Sequence, residues 1–239
     1  MIEPNNLYLG DCYELIKGIP DNSIDLIVTD PPYEIGRCEV TPRGIFKYKK
    51  FNVFNEIEED NLNKGFDQGI LDEYCRVLKH THIYIWCNKP QLKTYLDYFL
   101  DKGCNYEIIV WNKTNVPPFT NGHFIKDKEY CLVFWEKGAL LQGNRDTLKT
   151  VYVTTMNVSD KKLYEHPTIK PIEIIKNFIL NSTNEGDVVL DPFMGSGTTC
   201  KACKDLNRKY IGFEINEKWY NIAKDRLNNI NAKGEVSLF

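Results

Sequence analysis

Short apolar runs alternate with longer amphipathic segments along this chain. Residues 7–9, 24–29, 82–87, 188–190 and 210–215 are nearly continuous in Ile, Val, Leu, Tyr, Phe and Trp. Runs of that length and composition predict strands buried on both faces, as in a parallel sheet. Residues 106–111 and 129–135 read as two further strands, expected to lie as antiparallel neighbours. Between these runs the period changes. Residues 12–17 look helical and stop at Gly18, and a helix is expected from about 66 to 78, with Ile70, Leu71, Tyr74, Val77 and Leu78 on one face. Pro90 opens a helix over 91–100 and Gly103 lies just past its end. Further helices are expected from Pro171 to Leu180, over 198–206 and over 218–230. Strands alternating with helices predict an α/β sheet, and residues 187–215 form a strand-helix-strand unit that should be parallel and right-handed.

Two segments break the pattern. Residues 34–64 are polar and basic without a clean period, too long for an ordinary connection, and read as a mobile functional loop. Residues 138–165 are polar too, apart from the strand-like Thr150-Val151-Tyr152-Val153-Thr154. With 239 residues, 42% of them hydrophobic, the chain can bury one full core. The expected organisation is therefore a single domain over 1–239, carrying that loop and a small insert at about 138–165.

Composition narrows the function classes. The apolar runs are strand length, so none is expected to span a membrane. The start, Met1-Ile2-Glu3-Pro4-Asn5, lacks the regions of a signal peptide, and eight scattered cysteines suit free thiols in a reducing cytoplasm. Cys200 and Cys203 have redox spacing but no second pair, and read as buried thiols; His80 and His82 read as strand residues, and no metal site is expected. Net charge is -3, so a polyanion would have to meet a local patch. Arg37, Arg43, Lys47, Lys49 and Lys50 interleave with Phe46, Tyr48 and Phe51, which suits phosphates and unstacked bases; a solvated loop is the rival reading.

The candidate chemistry sits in two loops, each at the end of an apolar run. Asp30-Pro31-Pro32-Tyr33 follows residues 24–29. Asp30 and the Pro31 carbonyl can each accept a hydrogen bond from an amino group on a flat ring, Tyr33 can stack on that ring, and the two prolines fix φ. Asp191-Pro192-Phe193-Met194-Gly195-Ser196-Gly197-Thr198 follows residues 188–190. Its glycines allow a tight turn, and the helix from Thr198 aims free amides at whatever lies above. Glu214 ends the next strand, where a carboxylate can accept from both hydroxyls of a ribose. No lysine precedes Thr198 or Thr199, which excludes an ATPase-type phosphate loop, and the glycine spacing is not the dinucleotide fingerprint.

The Asp-Pro-Pro-Tyr loop first and the Asp-Pro-Phe-Met-Gly-Ser-Gly-Thr-Thr loop last resemble the amino-group DNA methyltransferases in their beta motif order. The resemblance covers nearly the whole chain. Gly10-Asp11 is similar to the family's acidic loop near the cofactor adenine. His166-Pro167-Thr168-Ile169-Lys170-Pro171 is similar to the segment leading into the helix before the cofactor strand. Val110-Trp111-Asn112-Lys113 and Glu129-Tyr130 resemble the late hairpin. Ile169 departs from the polar residue usual there, and 138–165 is short for a target-recognition region.

What the resemblance implies is specific. The fold would be a Rossmann-like, mostly parallel seven-stranded sheet with one antiparallel strand, circularly permuted so that residues 7–9 take the place that follows the last helix. The cofactor would be S-adenosyl-L-methionine, held by Asp11, Asp30, Lys170, Asp191, Pro192, Phe193, Gly195, Ser196, Gly197, Thr198 and Glu214. For Lys170 a solvated lysine is the alternative. Asp30, Pro31, Pro32 and Tyr33 would be catalytic. Double-stranded DNA with a flipped-out base would be the substrate, met by Tyr33, Arg37, Arg43, Lys47, Lys49 and Lys50. Asp30 leans toward adenine N6, since cytosine-N4 relatives more often begin that loop with serine. Cytosine N4, or a silent DNA-binding module that keeps the cofactor fold, stand as alternatives. No cysteine directly follows a proline, against carbon methylation of cytosine. The last residues, Glu235-Val236-Ser237-Leu238-Phe239, resemble the peptide that docks bacterial proteins on the replication sliding clamp, with Glu235 in place of glutamine; packing back on the sheet is the plainer reading. Monomer and dimer are both open, and a bacterial or phage-infected cell is implied.

Overall fold

The computed structural model describes residues 2–33, 67–116, 124–156, 164 and 169–229. The apolar runs become β1 (Asn6–Leu9), β2 (Leu26–Thr29), β3 (His82–Cys87), β4 (Asn105–Lys113), β5 (Lys128–Trp135), β6 (Val151–Thr154), β7 (Val188–Asp191) and β8 (Lys209–Glu214). The helices are α1 (Cys12–Leu15), α2 (Ile70–Val77), α3 (Lys89–Asp101), α4 (Ile172–Ser182), α5 (Thr198–Asp205) and α6 (Glu217–Leu227). Helix α1 is shorter than expected because its end tightens into a 3-10 turn over Ile16–Gly18. Helix α3 starts two residues early. Asn88 caps it and exchanges hydrogen bonds with Gln91 in a capping box.

The strands form one sheet in the order β1-β8-β7-β2-β3-β5-β4-β6. Every strand runs the same way except β5, which is antiparallel to β3 and β4. The expected single reversed strand is therefore present, but the sheet has eight strands rather than seven. The extra one is β6, which joins β4 in parallel register from Val110↔Val151 to Lys113↔Thr154. It alternates as a sheet edge should: Tyr152 is buried while Val151 and Val153 face out. The Trp111 indole donates to Thr154 Oγ1 at 2.7 Å and fastens it. Trp111 itself is core.

Successive strand residues point to opposite faces, and this sorts the core into two layers. Ile27, Ile83, Ile85 and Phe213 meet Ile70, Leu71 and Tyr74 of α2 and Tyr95 and Phe99 of α3. Leu26, Val28, Tyr84 and Trp86 meet Ile174, Ile175 and Phe178 of α4 and Ala202 and Cys203 of α5. Cys200 and Cys203 are both buried free thiols. The permutation is visible at the other sheet edge, where β1 lies parallel to β8 with Asn6↔Ile211 and Leu9↔Glu214. No helix among the described residues is long and apolar enough to cross a membrane.

One polar chain crosses the α4 layer. His82 Nε2 meets Ser182 Oγ at 3.1 Å, which meets the Tyr84 hydroxyl at 3.0 Å. Burial pushes the His82 imidazole down to about 4. It is neutral in the folded chain and takes a proton near 6.5 when unfolded, so the stability it contributes is present above pH 6.5 and is lost as pH falls toward 4. Urea unfolding at pH 7, 6 and 5 is expected to show the protein losing up to about 1.4 kcal/mol per pH unit more than a His82→Gln variant. Equal slopes would remove His82 from the acid response.

Candidate functional site

Strands β2 and β7 are parallel neighbours, with Leu26↔Val189 and Ile27↔Leu190 in register. The turn beginning at Asp30 and the turn beginning at Asp191 therefore leave the sheet side by side at the carboxyl ends of adjacent strands. The chain winds outward in both directions from this pair, toward β8 and β1 on one side and β3 on the other. Such a switch point leaves a crevice between the two loops.

The glycine turn is built by its backbone. Gly195 and Gly197 have φ of 50° and 73°, and a Cβ on Gly197 would lie 2.9 Å from the Ala223 Cβ of α6. Only glycine fits both the conformation and the space. Glu214 braces the turn, accepting from the Gly195 amide at 2.9 Å and from the Asn216 amide at 2.9 Å. The Gly10 amide donates to the Glu214 carbonyl at 2.8 Å, which brings the Gly10-Asp11 turn to the same place. Asp11 itself is exposed and caps α1 through the Tyr13 amide at 2.9 Å. Pro192 is buried and Phe193 half-buried. Asp191 accepts from the Phe193 amide at 3.2 Å. Burial pushes its carboxyl up to about 7, against the pull of the Thr199 and Thr29 hydroxyls and the Phe193 amide.

Ser196 and Thr198 face inward. Arg226 of α6, itself only 2% exposed, donates to Thr198 Oγ1 at 2.8 Å and Ser196 Oγ at 3.3 Å, and stacks on Tyr164 at 4.7 Å. A ligand at this turn is thus offered amides rather than those hydroxyls. Sequence reasoning missed Arg226. The signal was there: it shares the buried face of α6 with Trp219, Ala223 and Leu227, where an arginine needs a reason.

The Asp30 end is built by side-chain charge. Lys170 donates to Asp30 Oδ2 and reaches the Tyr33 hydroxyl at 3.4 Å and Glu129 Oε2 at 3.3 Å. Glu129 also pairs with Lys113 at 2.7 Å. The Lys170 side chain is 8% exposed, so it is not a solvated lysine. Burial works against its ammonium, but Asp30 and Glu129 outweigh that and hold it up at about 12. Burial pushes Asp30 up and Lys170 pulls it back, with Tyr33 helping. For Glu129 burial is outweighed by Lys170 and Lys113, which hold it below its usual range. Asp30 Oδ1 is buried with no hydrogen-bond partner among the described residues. Gln91, also missed, fixes the loop: its Nε2 donates to the Pro32 carbonyl at 2.9 Å while its Oε1 accepts from the Asn88 amide at 3.2 Å.

Arg37, Arg43, Lys47, Lys49, Lys50 and the Glu235–Phe239 tail lie outside the described residues, as do His166, Pro167 and Thr168.

Comparison with known proteins finds the family model for N6/N4 methylases, described as DNA methylase, matching residues 24–225. The chain is similar to the Type II methyltransferase M.HpaI of Haemophilus parainfluenzae, with 31% identity over 250 residues covering 93% of this chain and 74% of that protein. It is similar also to the Type II methyltransferase M.HinfI of Haemophilus influenzae, with 32% identity over 254 residues covering 95% and 69%. Among solved structures it resembles the M1.HpyAVI-SAM complex, with a TM-score of 0.66, 25% identity, and coverage of 93% of this chain and 99% of that one.

Because Gln91 serves both the cap of α3 and the Asp30 loop, Gln91→Leu is expected to cost about 1–2 kcal/mol in urea unfolding. A loss no larger than that of a surface substitution would show that neither bond matters.

Proposed function

This chain belongs to the N6/N4 family of DNA methylases, and on that premise we propose that it transfers the methyl group of S-adenosylmethionine to the N6 amine of adenine in double-stranded DNA. The observation that carries the reading is the buried, unpartnered Asp30 Oδ1 beside the glycine turn. The residues at that turn fit the cofactor. Two left-handed glycines let backbone approach a ligand closely, and the first turn of α5 leaves amides free. Glu214 accepts from the Gly195 and Asn216 amides, which fixes its carboxylate at the end of β8, where a carboxylate can accept from ribose hydroxyls. Asp191 and Asp11 offer acceptors for the amino-acid end and the rest of the nucleoside. When bound, the cofactor supplies a methyl group activated by a sulfonium.

An exocyclic amine is a poor nucleophile because its lone pair is delocalised into the ring. Asp30 Oδ1 and the Pro31 carbonyl accept its two hydrogens and draw the nitrogen toward tetrahedral geometry. Gln91 occupies the Pro32 carbonyl, which leaves the neighbouring acceptors for the amine. The nitrogen so held would accept the methyl group that the bound cofactor supplies, with the sulfonium sulfur as leaving group. Asp30 is the base placed to take the released proton. Tyr33 stacks on the ring, and the target nucleotide must leave the duplex to reach it. Alignment and placed acceptors supply the rate. Aspartate at position 30 supports adenine over cytosine. The 34–64 loop, with its basic residues, and the 138–165 insert are read as the DNA-contacting segments of one catalytic domain, in a bacterial cytoplasm.

Duplex DNA incubated with the protein and labelled S-adenosylmethionine, then digested to nucleosides, is expected to yield N6-methyl-2′-deoxyadenosine. N4-methyl-2′-deoxycytidine would correct the target base, and no labelled nucleoside would reject the reading. Asp30→Ala is expected to leave cofactor Kd within about threefold while lowering kcat by a hundredfold or more, roughly the loss of one placed electrostatic group. Asp191 gives a pH test. Its carboxyl is raised to about 7, and a cationic amino group favours the ionised form, so cofactor affinity should tighten as pH rises from 6 to 8. Asp191→Asn should flatten that dependence in calorimetric titrations.

A further inference from the structure

We propose that Lys170 is the positioning residue for Asp30: by taking Oδ2 it leaves Oδ1 as the oxygen without a hydrogen-bond partner, the one an incoming amine would fill, and Glu129 with Lys113 holds Lys170 in place. The proposal rests on the reading of Asp30 as the amine acceptor and goes beyond it. A carboxylate has two equivalent oxygens and a free rotor, so something must decide which oxygen meets the amine. Here one is committed to Lys170 and the other is buried without a partner among the described residues.

Lys170 is itself fixed. It precedes Pro171, which restricts its backbone to extended conformations, and follows Ile169, which is buried. That explains an apolar residue where a polar one was expected: its side chain anchors the segment. The ammonium donates to Asp30 Oδ2 and the Tyr33 hydroxyl and lies 3.3 Å from Glu129 Oε2 as an ion pair, and the charge lies 5.1 Å from the Trp86 ring centroid and 5.6 Å from that of Tyr33. Asp30 and Glu129 against Lys170 and Lys113 balance only when both carboxylates are ionised. Lys170 therefore opposes the burial that raises the Asp30 carboxyl and favours its ionised form.

The groups facing Asp30 are Lys170, Glu129 and Tyr33, with Cys87, Cys131, Tyr95 and Asp191 beyond them. Burial keeps the two thiols and Tyr95 neutral across the working range. Asp191 titrates nearby, so turnover must be followed at saturating cofactor.

The experiment compares Lys170→Met, Lys170→Arg and Glu129→Gln with the unaltered chain, reading cofactor Kd by calorimetry and kcat against pH on duplex DNA. Lys170→Met should keep cofactor Kd within about threefold, lower kcat about a hundredfold, and move the acidic limb upward by about one pH unit, since an opposing charge is lost. Lys170→Arg should restore the limb. Glu129→Gln should move it the other way, because a carboxylate facing Asp30 is removed. A Lys170→Met protein that loses cofactor affinity tenfold with its limb unmoved would assign Lys170 to the cofactor and overturn the proposal. If Lys170→Met fails to fold, an unmoved limb in Glu129→Gln overturns it instead. An unaltered chain that methylates no DNA would reject the parent reading, and this one with it; activity in that chain isolates the test to Lys170.

Discussion

The parallel pairing of β2 with β7 is the constraint on which the site depends. Asp30 and Asp191 are separated by most of the chain, yet each leaves the sheet just past the same pair of strands. Among the described residues a long bond from Thr199 Oγ1 to the Val28 carbonyl at 3.4 Å links the two strand ends. Their distance is set by strand spacing and by the layers on either face. Ile27 and Leu190 lock one face of that pair, Leu26, Val28 and Val189 the other. A crevice made this way is as rigid as the sheet, which is what alignment of a donor with an acceptor requires.

The two halves of the crevice use different physics. The glycine turn is backbone, stabilised by left-handed glycines, by the Glu214 carboxylate and by Arg226 from behind. The Asp30 half is a part-buried network of four charges around buried Lys170. Burying charge is expensive, and a paired network recovers the cost only when each member has its partner. Hydrophobic residues of the same volume would serve stability as well. The network is therefore better understood as fixing the orientation of one carboxylate than as holding the sheet together.

Much of this was legible in the sequence because its signals are local. The buried strands announce themselves as runs of β-branched and aromatic residues, and Pro90, Gly103 and Pro171 mark real helix ends. The order of the two loops along the chain carried the topology, including the displaced first strand. What was not legible is pairing across distance. Residues 150–154 had the composition of a strand, but it is their parallel pairing with β4, fastened by the Trp111–Thr154 bond, that shows them joining the sheet as an eighth. Lys170 looked like a surface or cofactor lysine because nothing near it in sequence reveals Asp30 and Glu129. Gln91 looked like an ordinary first-turn residue. Arg226 was the one case where a local signal, a guanidinium on an apolar helix face, was present and unread.

Two carboxylates stand at the ends of neighbouring strands in different surroundings. Asp191 accepts from the Phe193 amide, and burial pushes it up to about 7. Burial raises half-buried Asp30 too, but an ammonium lies against it and works the other way. Different surroundings for two like groups suit separate tasks. A carboxyl poised near neutral pH gains most from a cation arriving beside it, which suits a group that binds. A carboxylate with an ammonium on one oxygen and no hydrogen-bond partner on the other among the described residues suits a group that accepts hydrogens from an amine and then its proton. The lysine beside only one of them is what separates a binding aspartate from a reacting one.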